Sequence, residues 1–450
     1  MKKIDLSKPE LLSPAGNFNK LRFALAYGAD AIYAGIPKFS LRTRENEFRK
    51  ESLKEGVEYS HKLNRKIYLT LNIYAHNTKV DSFLKELDSV VEWNPDGLIM
   101  TDPGLINITI KRYPKMPVHL STQANATNWT TVKFWKDLGV ERIILPRELQ
   151  LREIEEIHNQ VPEVELESFV HGSICIAYSG RCLISNYMNH RDANQGTCVN
   201  SCRWKYNLHQ VENKSLLYNE SQEKLSSKQQ PDNQIKSEFY VEESERPNDK
   251  YPISEDENGT YLFNAKDLCA IELLKEIQKA GVSSYKIEGR TKSEYYAAMC
   301  TRSYRKAIDD MTQELPFDSK NLNDLIALSN RGYTTGFYTR NPQEYGENFL
   351  DGRSNEFTHK VVGIFVNYDQ SQGLLSFECK NRLTLGTEIE LITPKKTEKF
   401  NIVELRNPKG NLVEICHGGS GRYSIPFAYN PGEFAILRRK IYQDELHDLT

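Results

Sequence analysis

The sequence predicts a parallel α/β barrel of the (β/α)8 TIM type, followed by a small all-β, barrel-like domain. Three observations carry this. From Glu10 to about Met311, short apolar β-type runs alternate with amphipathic helices. Eight such runs occur, most with a helix behind them, and a helical crossover is what parallel pairing requires. After about Phe357 the texture changes to short β runs separated by turn residues. A closed barrel is the simplest arrangement of eight parallel strands, and an open doubly wound sheet is the alternative. No G-x-G-x-x-G follows the first run, which weakens the dinucleotide-binding version.

Each element has its own signal. Glu10 to Gly16 reads as a strand that ends in a glycine turn, and Phe18, Leu21, Leu25 and Gly28 follow at helical spacing. Ala31 to Gly35 is the second strand and Lys66 to Asn72 the third. Val80, Phe83, Leu84, Leu87, Val90 and Val91 line one helix face. Gly97 to Asp102, Pro117 to Asn125 and Arg142 to Leu145 are the next three strands; Leu151, Ile154, Ile157 and Val161 mark a helix. Val164 to His171 is the seventh strand, and Tyr285 to Arg290 the eighth, with a helix behind it to about Met311.

The barrel domain is expected over residues 1–340, and the β domain over 357–442. The β domain has its runs at Val361 to Tyr368, Gly373 to Cys379, Thr387 to Ile392, Phe400 to Leu405, Leu412 to Ile415 and Glu433 to Leu437. Residues 207–259 interrupt the barrel pattern. Their Ser-, Gln-, Lys- and Asn-rich centre reads as a solvated, flexible insertion.

Apolar residues make up 39% and charged residues 27%, as in a folded soluble protein, and the net charge is −2. An RNA partner would therefore need local basic patches. The start of the chain has no apolar run like that of a secretory signal, and no window has the length of a membrane span. The expected setting is cytoplasmic, where structural disulfides are rare.

Cysteine spacing is the strongest chemical signal. Cys175-x6-Cys182-x15-Cys198-x3-Cys202 defines a cysteine module within residues 172–206. It has no C-x2-C knuckle, as a zinc ribbon would, and no radical-SAM C-x3-C-x2-C triplet. Four thiols on loops suit a four-thiolate iron–sulfur cluster, with zinc and plain burial as the alternatives. Cys269 is a reserve ligand at an expected helix start, while Cys300, Cys379 and Cys416 read as structural.

Glu167-Ser168-Phe169-Val170-His171-Gly172-Ser173-Ile174-Cys175, continued through Gly180, Cys182 and Ser185, resembles the E-x-F-x2-G-S-I-C-x4-G-x-C-x-I-S signature of the collagenase-like peptidase family. Residues 24–35, Asn194 to Cys198, Cys202-Arg203-Trp204 and Lys286 to Arg290 resemble that family's tRNA hydroxylation branch. The resemblance covers nearly the whole chain. It implies hydroxylation of the wobble uridine of tRNA to 5-hydroxyuridine, with prephenate as hydroxyl source. It also implies a [4Fe-4S] cluster on Cys175, Cys182, Cys198 and Cys202. Relatives with other substrates, ribosomal RNA or quinone precursors, are the alternative. Proteolysis is poorly supported: there is no H-E-x-x-H pair and no G-x-S-x-G elbow, and thiolates committed to a cluster cannot act as nucleophiles.

Chemistry in such barrels sits at the C-terminal strand ends. The polar residues there are Tyr33, Asn72, Asp102, Gln123, Asn125, Arg147, Glu148, Glu167, His171, Glu288 and Arg290. Arg147 and Arg290, with Arg42 as a third, suit a small dicarboxylate; their alternative is rim pairing, Arg147 with Glu148 and Arg290 with Glu288. His171 and His119 are candidate proton carriers. Glu167 shares a strand face with Phe169, and the sequence leaves open which face looks inward. Candidate RNA contacts are Arg203-Trp204-Lys205-Tyr206, Tyr304-Arg305-Lys306, Lys395-Lys396 and Arg438-Arg439-Lys440; each is more simply a solvated surface run.

Overall fold

The computed structural model describes residues 4–41, 46–174, 266–339, 358–442 and 445, with the backbone alone of 239–242, 250–256 and 259–262. Strands β1 (Glu10–Ala15), β2 (Ala31–Gly35), β3 (Lys66–Leu71), β4 (Gly97–Met100), β5 (Val118–Leu120), β6 (Arg142–Ile144), β7 (Glu165–Ser173) and β12 (Val282–Ile287) are parallel neighbours in that order. β12 pairs with β1 on one side and β7 on the other, so the sheet closes. The fold is the (β/α)8 barrel read from the pattern. Every residue of β2, β4, β5, β6 and β12 is buried, because helices cover one face and the barrel interior the other.

Helices α1 (Phe18–Ala26), α2 (Lys50–Lys62), α3 (Asn77–Val91), α4 (Pro103–Arg112), α5 (Trp129–Leu138) and α6 (Leu151–Gln160) connect the first seven strands. Local signals set their ends. The Asn17 side chain accepts from the Lys20 amide at 2.7 Å to start α1. Asp102 caps α4 ahead of Pro103, and Gly139, at φ 111°, ends α5 in the left-handed region.

Several boundaries moved. The eighth strand starts three residues before Tyr285, at Val282, and the fifth stops at Leu120, where a 3₁₀ turn (Thr122–Ala124) replaces the expected continuation. Cys269 does not begin a helix. It ends strand β11 (Asp267–Cys269), which pairs antiparallel with the end of β7 and precedes α7 (Leu274–Lys279). Periodicity missed it because three residues are too few to show any. Part of the supposed flexible insertion forms an antiparallel sheet of β8 (Phe239–Glu242), β9 (Lys250–Asp256) and β10 (Gly259–Leu262).

Beyond α8 (Glu294–Thr312), α9 (Ser319–Ile326) and β13 (Tyr333–Thr334) comes the C-terminal β domain. Its main sheet is antiparallel, in the order β18 (Thr397–Asn401), β17 (Glu388–Ile392), β21 (Ile436–Lys440), β14 (His359–Asp369), β15 (Leu374–Cys379) and β20 (Arg422–Pro426). The β20 run was not foreseen. Short β16 (Leu383–Thr384) and β19 (Ile415–Cys416) pair separately. Cys300, Cys379 and Cys416 are all buried, as expected of structural residues.

The domain packs on helices of the barrel, through ions as well as apolar side chains. Arg438 is buried between Glu390 at 2.6 Å, Asp324 of α9 at 2.9 Å and the Tyr295 hydroxyl of α8 at 3.0 Å. Tyr27, the C-terminal cap of α1, donates to the Phe434 carbonyl at 2.7 Å. The 438–440 run is therefore no solvated patch: Arg438 is tied up here, and Arg439 is buried against Glu445 at 2.7 Å. Arg438→Ala should lower unfolding stability by roughly 3 kcal/mol, since it removes a buried cation shared by two carboxylates and leaves them only Lys399 and Arg302. Denaturant titration of the intact chain measures this, and a loss below about 1 kcal/mol would mean the pair is solvated.

Candidate active site at the C-terminal mouth of the barrel

Parallel strands buried on both faces normally read as apolar runs, so a charge within one needs a partner. This barrel has several, stacked along its interior. Alternation along β7 puts Glu165, Glu167 and Phe169 on the inner face. Near the N-terminal strand ends Arg142 reaches Glu10 at 2.7 Å, Glu165 at 2.7 Å and Glu167 at 3.2 Å, while the Tyr68 hydroxyl donates to Glu10 at 2.8 Å. One level up, Lys286 contacts Glu167 at 2.7 Å and lies 4.3 Å from the centre of the Tyr33 ring. Burial would raise the Glu10 carboxyl, but the charges of Arg142 and Lys66 outweigh it and hold it down at about 2. Burial pulls Lys286 below the ordinary lysine range, against the opposing charge of Glu167.

Above this ladder lie the C-terminal strand ends. The Arg147 guanidinium sits 3.8 Å from the Phe169 ring centre, and its Nη2 donates to Glu288 at 3.1 Å. Its buried Nε has no hydrogen-bond partner. Rim pairing thus links Arg147 to Glu288 across the β6 and β12 ends. Arg290 donates to Thr70 Oγ1 at 3.0 Å and to the Leu41 carbonyl at 2.7 Å. Gly35 makes room for it: a Cβ there would lie 2.6 Å from Arg290 Nη1. At the ends of β3 to β5, Asn72, Thr101, Ser121 and Gln123 form a neutral hydrogen-bonded group centred on Gln123 Oε1. The strand ends thus carry two arginines, Arg147 beside Phe169 and Glu288 and Arg290 beside Thr70 and Leu41, together with the amides of Asn72 and Gln123.

His171 lies elsewhere. The β7–β12 register shifts beside it, and its ring packs among Tyr296, Tyr304 and Tyr333, with centroids 5.9, 5.5 and 5.4 Å away. Burial lowers its pKa to about 4. Next to it, burial pushes the Cys269 thiol up to about 12, and Tyr304 donates to its sulfur at 3.8 Å. His119 lies low in the barrel against Tyr68, held neutral by burial and then by Arg142. Asp102 serves as the cap of α4, accepting from Gly104 and Leu105.

β7 delivers the chain to Ile174 at the C-terminal mouth, one residue before Cys175. Cys175, Cys182, Cys198, Cys202, the Arg203 to Tyr206 run and Arg42 lie outside the described residues. Of the basic runs, Tyr304 is buried, Arg305 pairs with Asp30 and Asp309, and Lys306 pairs with Asp318. Lys396 pairs with Glu398. The sequence reading missed Glu10, Arg142 and Lys286 as site members. The available signal was a charge inside a strand that is otherwise apolar.

Residues 16–348 match the model of peptidase family U32, and residues 358–438 match that of the peptidase family U32 C-terminal domain. The chain belongs to peptidase family U32. Among U32 relatives, "tRNA hydroxylation protein P" of Escherichia coli (strain K12) is 46% identical over 428 residues, 93% of this chain and 94% of that protein. "tRNA hydroxylation protein P1" of Bacillus subtilis (strain 168) is 36% identical, over 92% of this chain and 91% of the other. A 23S rRNA 5-hydroxycytidine synthase of E. coli is 31% identical, over 68% of this chain and 40% of its own length. Among the described residues of this U32 chain, no helix is long and apolar enough to cross a membrane.

The His171 environment sets a pH dependence. The unfolded chain protonates this residue near 6.5, and the folded chain not until about 4. Between those values the unfolded state binds more protons, so stability falls as pH drops from 6.5 and the loss is complete below about 4. His171→Phe keeps an aromatic ring and removes the titration. Its urea midpoint should fall less than the wild type's over that window. Equal falls would assign the acid sensitivity to other groups.

Proposed function

We propose that this U32 protein hydroxylates the wobble uridine of tRNA to 5-hydroxyuridine in the cytoplasm. The observation that carries this reading is 46% identity over 93% of the chain to a protein named for tRNA hydroxylation. The mouth chemistry supports it. Arg147 and Arg290 match a small dicarboxylate, prephenate, as hydroxyl donor, and the neutral amide group suits a base. Glu167 and Lys286 form a proton-carrying pair beneath the mouth. His171, packed behind β7, has the position of a support for the strand end that leads into the cysteine segment.

Cys175, Cys182, Cys198 and Cys202 would hold a [4Fe-4S] cluster. The donor set fits: four soft thiols follow directly on the strand that ends at the mouth. Among the described residues, no group of three or more His, Cys, Asp or Glu side chains could hold a metal instead. When bound, the cluster supplies redox-active iron. The remaining residues bind, orient and exchange protons.

Anaerobically purified protein should contain about four irons and four sulfides per chain. Both should be lost in Cys182→Ala and Cys202→Ala. Nucleosides from a strain lacking the protein should lack 5-hydroxyuridine and its derivatives, restored by the wild type and not by either variant. One zinc without sulfide, or intact 5-hydroxyuridine in the deletion strain, would overturn the reading.

A further inference from the structure

A chain of hydrogen bonds at the mouth fixes the orientation of one amide. The Leu41 backbone N–H donates to Asn72 Oδ1 at 3.0 Å. A backbone N–H can only donate, so Asn72 must turn its Nδ2 the other way. That Nδ2 donates to Gln123 Oε1 at 2.8 Å, and the hydroxyls of Ser121 at 3.1 Å and Thr101 at 3.4 Å also address Oε1. A reversed Gln123 would set two NH2 groups against each other. Its oxygen is therefore committed, and its nitrogen is left over.

Gln123 is only 6% exposed, and its buried Nε2 has no hydrogen-bond partner. Buried donors are rarely left unmet, because desolvation without a partner is costly. The amide has uncharged neighbours in Asn72, Thr101, Ser121 and the Tyr74 hydroxyl, which donates to the Gln123 carbonyl. A neutral carbonyl oxygen suits such a place better than a carboxylate, which the arginines serve.

We propose that Gln123 is a specificity-determining residue whose Nε2 donates to the C4 carbonyl of the target uracil. This rests on the tRNA-uridine reading above and deepens it. Cytosine carries an amino group at C4, so it would set donor against donor, and the enzyme rejects it. The oriented amide reads one exocyclic group as base-edge contacts do in nucleic-acid recognition.

The test uses purified full-length protein and two anticodon stem-loop RNAs that differ only in U or C at the wobble position. Fluorescence anisotropy gives both affinities. The wild type should bind the U loop about tenfold tighter, the scale of one unmatched polar contact. Gln123→Glu accepts from Asn72 and presents an acceptor to the ligand, so its preference should shift to the C loop. Asn72→Asp attracts Gln123 Nε2 and turns Oε1 outward, so it should shift the same way without touching the base. Melting curves check that each variant folds, and either variant alone decides the question. Equal wild-type affinities for the two loops, or a wild-type preference for U that a folded variant keeps, would overturn the Gln123 assignment and leave the tRNA-uridine reading standing. A wild type that binds neither loop would overturn both.

Discussion

The charge ladder inside the barrel sets the terms for everything above it. A closed eight-stranded barrel leaves an interior just wide enough for side chains to fill. Here Arg142 joins Glu10, Glu165 and Glu167, and Lys286 completes the contact to Glu167. Each charge is tolerable because its neighbour is present, so the group behaves as a unit and removing one member exposes the rest. These side chains come from β1, β6, β7 and β12. The ladder therefore spans the closing seam of the barrel, linking β6 and β7 on one side of β12 to β1 on the other.

From that base the mouth inherits its geometry. Phe169, two residues above Glu167, supports Arg147, and Glu288, two residues beyond Lys286, accepts from it. The Arg147 site is thus built on two of the ladder's four strands, β7 and β12. The amide side is built differently, by a hydrogen-bond chain from the Leu41 backbone through Asn72 to Gln123. The two groups meet at Leu41, whose carbonyl accepts from Arg290 and whose N–H donates to Asn72.

His171 shows how a register shift overrides strand alternation. Counting by twos from Glu167 and Phe169 puts His171 in the barrel. The shift in pairing between Lys286 and Ile287 turns it outward onto Tyr296, Tyr304 and Tyr333. The basic run at Arg438 failed as a solvated patch for a related reason. A charge cluster in sequence carries no information on burial, and here Asp324 and Glu390, distant in the chain, and nearby Glu445 hold Arg438 and Arg439 under.

The barrel itself was legible because its cause is local: alternating strand and helix periodicity, with few ways to close eight parallel strands. The polar strand ends and the cysteine spacing were legible for the same reason, since each needs only neighbours in sequence. Tertiary structure decided what depends on distant pairs. The inward turn of Glu167, the Arg147–Glu288 link, the short strand that carries Cys269 and the amide left over on Gln123 each rest on a partner from another segment. A side chain's chemistry is written in its letter, but whether that chemistry is spent or available is set by what the fold brings within 3 Å.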